Sequence, residues 1–386
     1  LQRIRAEGRV HQSEVKYRRI IESAAEGFLL MDGNYRITDV NQAFCEMVGY
    51  SREEILGRTP LKFADEDYRQ FLIHSNEEGM FSDRLREFEG TMVTKSGKKI
   101  PVLAHGNTLR DDGGGVIGNM LFVFDMTQPK RSLALAAEVQ KSLLPCECPR
   151  VDGLDVAGRV LNCDEIGGDY YDFPGEGECS LDRFNIVVGD VTGHGVDAAL
   201  LMTTARAFLR MRAAQCDEIS KILTEMNRHL ALDVHDSGRF MTLFFLQFDL
   251  ANRQLNWVRA GHPPALLYDP AADRFGELMG EGMALGVEEG YEYRQFRRGG
   301  LASGQIVALG TDGILETIDR KGHLYGKHRF REAIRANAGK DATGILEAVF
   351  ADLKQFALGT RVQDDATLVI AKVKPPIEGQ GGDWQI

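Results

Sequence analysis

Four short segments place an aspartate where a reaction could use it. Gly189-Asp190-Val191-Thr192-Gly193-His194-Gly195 follows the apolar run Phe184-Asn185-Ile186-Val187-Val188 and precedes Val196 to Arg212, rich in Ala, Leu, Met and Arg. The run reads as a buried strand and the second stretch as a helix, so Asp190 falls in a tight turn at a strand end. Gly193 and Gly195 let that turn take backbone angles other residues resist, and leave room for a ligand. A carboxylate at a buried strand tip is costly unless something pairs with it; the obvious partner is a divalent cation. Gly167-Gly168-Asp169-Tyr170-Tyr171-Asp172 lies upstream, and Thr311-Asp312-Gly313 follows the apolar run Ile306-Val307-Ala308-Leu309. Gln363-Asp364-Asp365-Ala366-Thr367 comes last, before Leu368-Val369-Ile370. If the turns converge, Asp169, Asp190, Asp312 and Asp364 share one pocket. Two unit charges about 4 Å apart repel by on the order of 4 kcal/mol at an effective dielectric of roughly 20. Such a cluster needs cations to fold stably, and hard oxygen ligands suit Mg or Mn with positions left for water.

The elements that position these turns must come from a chain long enough for two domains: 386 residues, 43% hydrophobic. A net charge of −11 argues against nucleic acid as a general partner. Six cysteines without a regular framework fit a reducing cytoplasm, and Cys146-Glu147-Cys148 is too tight and isolated for a zinc site. No apolar stretch is long enough to cross a membrane. The chain opens on Leu1, as an excised cytoplasmic part of a longer, membrane-anchored protein would. Around the aspartates, Leu154 to Leu161, Phe240 to Leu250 and Gln254 to Ala260 read as strands, and Val196 to Ala213 and Glu218 to Leu232 as a helical pair. Arg206, Arg210 and Arg212 read as solvated charges of the first helix. The long apolar run of the hairpin around Ala251-Asn252-Arg253 suits a sheet buried between layers.

The order GGDYYD, GDVTGHG, TDGI-x-E, DDATLV, from about Ala136 to Val373, resembles the SpoIIE-type serine phosphatases, which belong to the metal-dependent type-2C-like (PPM) protein phosphatases. The resemblance implies an α-β-β-α sandwich with two Mn or Mg ions between the sheets. Carried over position by position, Asp190 would bridge both ions and the backbone carbonyl of Val191 would bind one. Asp312 and Asp364 would complete the other, and Asp169 would hold the second directly or through water. Two such ions lower the pKa of a water between them, which then attacks phosphorus in line without a covalent phospho-enzyme. Eukaryotic-type relatives carry a phosphate-binding arginine ahead of the first aspartate; here Asn162-Cys163-Asp164-Glu165 stands there, so the phosphate-orienting group is unassigned. Cys163 lacks the glycine-rich, arginine-closed loop of cysteine phosphatases and reads as packing. His194 and His262, the latter in Gly261-His262-Pro263-Pro264, could each donate a proton to the leaving oxygen or simply shape a turn. Glu316 and Asp365 neighbour ligand candidates and could orient them.

Residues 26–127 resemble a PAS sensor domain. The likeness rests on Asp32-Gly33, Asn41-Gln42-Ala43-Phe44 and Gly49-Tyr50-Ser51-Arg52-Glu53-Glu54-Ile55-Leu56-Gly57. A hairpin over Gly27 to Ile37, a short helix ending at Gly49, and strands over Arg86 to Val93, Lys99 to Leu109 and Val116 to Phe124 are expected. Cys45, in Ala-Phe-Cys-Glu-Met, is not in a flavin-attachment context, and His74, the haem-ligand candidate, reads as a surface helix residue. The expected pocket is empty or holds a small metabolite of unknown identity.

Residues 1–25 read as a charged helix or a short dimeric coiled coil. Residues 128–145 read as a signalling helix, Leu133, Ala136, Ala137, Gln140, Leu143 and Leu144 forming one narrow face that can also dimerise. The phosphatase domain spans 146–374, and 375–386 read as a loose tail. The whole is then an α/β (α+β) protein: a PAS-regulated serine/threonine phosphatase that, by resemblance, dephosphorylates a phosphorylated STAS-type anti-sigma-factor antagonist in bacterial signalling. The rival is a catalytically silent pseudo-phosphatase acting as a sensor-controlled scaffold, which should have lost ligand aspartates. A nucleotide cyclase would show a Gly-Gly-Asp/Glu-Glu-Phe hairpin, and none is present.

Overall fold

The computed structural model describes residues 12, 14–77, 86–175, 182–235, 237–360 and 364–375. It divides into two compact units, Leu1–Ser132 and Leu133–Ile386. The N-terminal helix α1 is described over residues 14–22; the first part of the expected coiled coil and the expected tail after residue 375 lie outside the described residues.

The first unit is an antiparallel sheet of β1 (Gly27–Met31), β2 (Ile37–Val40), β3 (Arg86–Val93), β4 (Lys99–Arg110) and β5 (Val116–Asp125), in the order β2-β1-β5-β4-β3. Helices α2 (Gln42–Val48), α3 (Arg52–Ile55) and α4 (Glu66–Glu77) pack on it. Buried Asn41 shows why α2 starts where it does. Its side-chain oxygen accepts from the amides of Phe44 and Phe28 at 3.0 and 2.8 Å, and its amide donates to the carbonyls of Ile21 and Glu26. One side chain thus caps the helix and ties it to β1, leaving no buried polar atom unpaired. Cys45 is buried in the core, a free thiol outside the cavity wall. That cavity, about 280 Å³, is lined mainly by apolar groups including Met31, Leu72, Phe88, Met92 and Leu121. His74 lies within α4, its side chain outside the described residues.

Gly90 in β3 carries a definite constraint. A Cβ there would stand 2.2 Å from the buried ring of Tyr68 on α4. Gly90→Ala is expected to push α4 off the sheet and destabilise this unit by about 1–3 kcal/mol, the usual range for overpacking. Thermal denaturation would measure it.

The second unit begins with helix α5, whose full span is Thr127–Leu143. Two five-stranded sheets follow. One runs β13-β10-β9-β8-β7, from β7 (Tyr170–Asp172), β8 (Arg183–Val191), β9 (Met241–Asp249), β10 (Gln254–Ala260) and β13 (Phe296–Gly299). The other runs β12-β11-β14-β15-β6, from β6 (Leu154–Leu161), β11 (Ala265–Asp269), β12 (Arg274–Leu278), β14 (Ile306–Gly310) and β15 (Ala366–Val373). Alternation along each strand sorts the side chains into layers. Phe184, Ile186, Val188, Phe244, Val307 and Val369 fill the space between the sheets. Val187, Phe245 and Val258 face the pair α6 (Val196–Ala213) and α7 (Ile219–Val234). Ile306, Leu368 and Ile370 face α9 (Gly326–Asn337) and α10 (Ala342–Phe356). The α-β-β-α sandwich is therefore present.

Two sequence readings need correction. Arg206, Arg210 and Arg212 are not free solvated charges. Arg210 grips fully buried Asp172 of β7 through two bonds of 2.6 Å, with Arg206 at 3.8 Å, because Asp172 points under α6. Arg212 pairs with Asp217 and Glu225. Likewise the cysteines are not all free thiols: Cys45, Cys146, Cys148 and Cys163 are, but Cys216 is disulfide-bonded. Spacing along the chain does not reveal which loops meet in space.

Candidate active site

Strand parity brings the sequence-expected residues to one end of the gap between the sheets. On β8, Phe184, Ile186 and Val188 face the gap, so Asp190 does too. Asp190 lies inside the strand and not in the turn; the turn begins at Thr192 and uses Gly193 and Gly195 at φ 84° and 87°. On β7, Tyr171 faces the gap, and so does Asp169 two residues earlier. Tyr170 lies opposite Gly189, so one further step sets Asp169 directly across from Asp190. Thr242 of β9 is the cross-strand partner of Asp190 on its other side.

The second sheet supplies the facing row. Gly310 pairs with Leu368, so the next step sets Thr311 against Thr367. Both hydroxyls donate to one oxygen of Asp169, Oδ2, at 2.8 and 2.6 Å. Asp312 opens the short helix α8 (Asp312–Glu316) just beyond Thr311, and half-buried Asp364 precedes β15. Asp365 is buried and organises the loop beneath: its oxygens accept from the amides of Cys163 and Gly168 at 2.8 and 2.9 Å. A Cβ on Gly167 would fall 2.0 Å from Asp365 Oδ2, so the first glycine of GGDYYD is fixed by this approach.

The electrostatics are those of acids crowded out of water. Burial, then the charges of Asp312, Asp364 and Asp365, pushes Asp190 up to about 8. Burial, then Asp190, holds Asp169 well above the usual carboxylate range. Asp312 is raised by burial and by Asp364, and Asp364 by burial and by Asp365 and Glu316, the latter exposed at the end of α8. Among the leading influences on the four, the one cation is His194, acting on Asp364. Among the described residues no three Asp, Glu, His or Cys side chains close tightly enough to enclose an ion alone. Carboxylate oxygens are the hard donors that Mg or Mn take, one or two at a time with waters beside them. The carbonyl of Val191 stands beside Gly168, where a Cβ would approach it to 2.8 Å.

The two histidines separate. His194 is exposed, its Nδ1 2.8 Å from Asp164 Oδ2. His262 is buried, its Nδ1 2.8 Å from Thr242 Oγ1. Burial drives His262 down to about 3. Its Nε2 is buried without a hydrogen-bond partner among the described residues. Burial, then Asp365, pushes the Cys163 thiol up to about 12, away from a thiolate nucleophile.

Several residues at the site escaped the sequence reading: Thr311, Thr367, Thr242, Asp164 and Arg239. Arg239 donates to the Thr192 carbonyl at 2.6 Å and pairs with Asp197, clamping the turn. Period-two counting from the apolar residues of β14 and β15 finds Thr311 and Thr367; nothing local marks the others. Gln140, on the narrow face expected to dimerise, is instead the buried residue of α5. Its amide donates to the Gly167 carbonyl at 2.7 Å and accepts from the Gly167 amide at 3.2 Å.

Comparison with known proteins identifies the family. The family model of stage II sporulation protein E (SpoIIE) matches residues 180–374, and a PAS-domain model matches residues 25–128. The phosphoserine phosphatase RsbU of Bacillus subtilis is 27% identical over 245 residues, covering 64% of this chain and 71% of RsbU. The phosphoserine phosphatase RsbP of the same organism is 28% identical over 190 residues, 48% of this chain, which spans only 46% of RsbP. The solved SiaA-PP2C domain of Pseudomonas aeruginosa aligns at 25% identity with a TM-score of 0.55, covering 64% of this chain and all of that domain. The chain belongs to the SpoIIE family, as a PP2C-type protein phosphatase with a PAS domain ahead of it.

Proposed function

We propose that the chain is a PAS-regulated, Mn- or Mg-dependent phosphatase that removes phosphate from serine or threonine of a phosphorylated STAS-type anti-sigma-factor antagonist in the cytoplasm. The observation that carries it is the meeting of Asp169 and Asp190 from one sheet with Asp312 and Asp364 from the other, with no lysine or arginine among the leading charges on them. Asp190, the Val191 carbonyl, Asp312, Asp364 and Asp169 would hold the ions. When bound, the ions supply a nucleophile at neutral pH and offset the charge that builds on phosphorus. The protein's own part is positional. Asp365 fixes the loop that carries Asp169, and Arg239 fixes the turn after Asp190. Exposed His194, held by Asp164 through one ring nitrogen, keeps the other for proton exchange with the leaving serine oxygen. A homodimer through the linker helix would use an exposed pair on α5, Leu135 and Val139, four residues apart on one helix face, because the face expected from the sequence carries Gln140, buried against Gly167.

The test is phosphate release from a phosphoserine STAS protein with Mn present. Release that stops on chelation is expected. If neither that substrate nor a phosphoserine peptide loses phosphate with Mn supplied, the scaffold reading takes over.

A further inference from the structure

We propose that Thr311 and Thr367 act as a pair of positioning residues that decide which oxygen of Asp169 is offered to a divalent ion. The inference rests on the metal-dependent reading above. Both hydroxyls converge on Oδ2 of Asp169, and neither donates to Oδ1. All three side chains are buried: Asp169 is 3% exposed, Thr311 1% and Thr367 0%. An oxygen that already accepts two close hydroxyls has little capacity left, so Oδ1 is the atom left to face Asp190 and a cation or its water. Asp169 belongs to the first sheet and both threonines to the second. The contact therefore also sets the separation of the two sheets at the end where the carboxylates gather. Thr311 adjoins Asp312, and Thr367 lies three residues from Asp364. The residues that orient Asp169 are thus linked by a few covalent bonds to the other ligand candidates, so the carboxylates of the two sheets are held in mutual register before any ion arrives. Preorganisation of this kind is what partners behind metal ligands provide.

A purely structural role would satisfy a buried carboxylate without affecting metal binding, and the two can be told apart. Thr367 is the cleaner probe. Its hydroxyl makes the bond to Asp169, whereas Thr311 Oγ1 also accepts from the Thr367 amide at 2.9 Å, so removing it orphans a backbone donor. Thr367→Val keeps the shape and deletes the donor; Thr367→Ser keeps the donor. Mn binding to the full chain is measured by titration calorimetry, with thermal denaturation in chelator as the check on folding. Thr367→Val is expected to bind Mn about 10- to 100-fold more weakly, and Thr367→Ser within about threefold of the parent, the range typical of such orienting partners. Melting in chelator should be alike for the two variants. If the Val variant fails to fold, Thr367→Ala serves in its place, with the same loss expected. Parental Mn affinity in the donor-free variant, or a Ser variant as weak as it, overturns the proposal. A parent chain that takes up no Mn overturns the metal reading itself, a result distinct from either.

Discussion

Asp190→Ala is expected to cut phosphate release by on the order of a thousandfold or more, the scale seen when one group that stabilises transition-state charge is removed. The position explains the size. Asp190 stands across the strand pair from Asp169 and feels Asp312, Asp364 and Asp365, so it lies between the two halves of the cluster. Asp312→Ala should follow closely. Neither change should unfold the chain. Without an ion these acids repel one another and resist burial, so deleting one relieves a cost that the metal-free fold bears. Melting in chelator should stay level or rise for both variants while turnover vanishes. Wild-type turnover in either variant would show that the site lies elsewhere.

Chelation itself should change how stability responds to pH. Folded Asp190 sits at about 8 against an ordinary 3.8. Between those values the unfolded chain has released the proton that the folded chain still binds. Stability therefore falls as pH rises across that window and is flat below it. Asp169, Asp312 and Asp364 are raised as well and add in the same direction. The metal-free protein is expected to melt at progressively lower temperature from about pH 4 to about pH 8. Mn at about a hundred times its Kd should raise the melting temperature by roughly 5–10 °C, since such saturation is worth about 2.7 kcal/mol in a domain of this size. The rise should be largest at the alkaline end, because binding displaces the retained protons. A melting temperature that climbs with pH in chelator would contradict the crowded-acid picture.

Much of this was legible before the fold was seen. Val196 to Ala213 and Leu154 to Leu161 form the expected elements residue for residue, the first because it is rich in the strong helix formers Ala, Leu, Met and Arg. The four aspartates were visible because each abuts a strand-like run or a glycine, a local signal. What stayed hidden depends on pairing between distant strands. Thr311 and Thr367 matter through a register that no single segment encodes, and Arg210 through the burial of Asp172 beneath its helix. His262 looked as available as His194; only its depth separates them.

Gln140 holds Gly167 through both the nitrogen and the oxygen of its side-chain amide, and Gly167 is two residues from Asp169. Turning α5 by a single residue, about 100° on a helix, would bring Val139 or Lys141 to that place. Valine could make neither bond and lysine only the donated one, so the two-bond clasp belongs to Gln140 alone. A rotation of α5 would thus be felt two residues from Asp169.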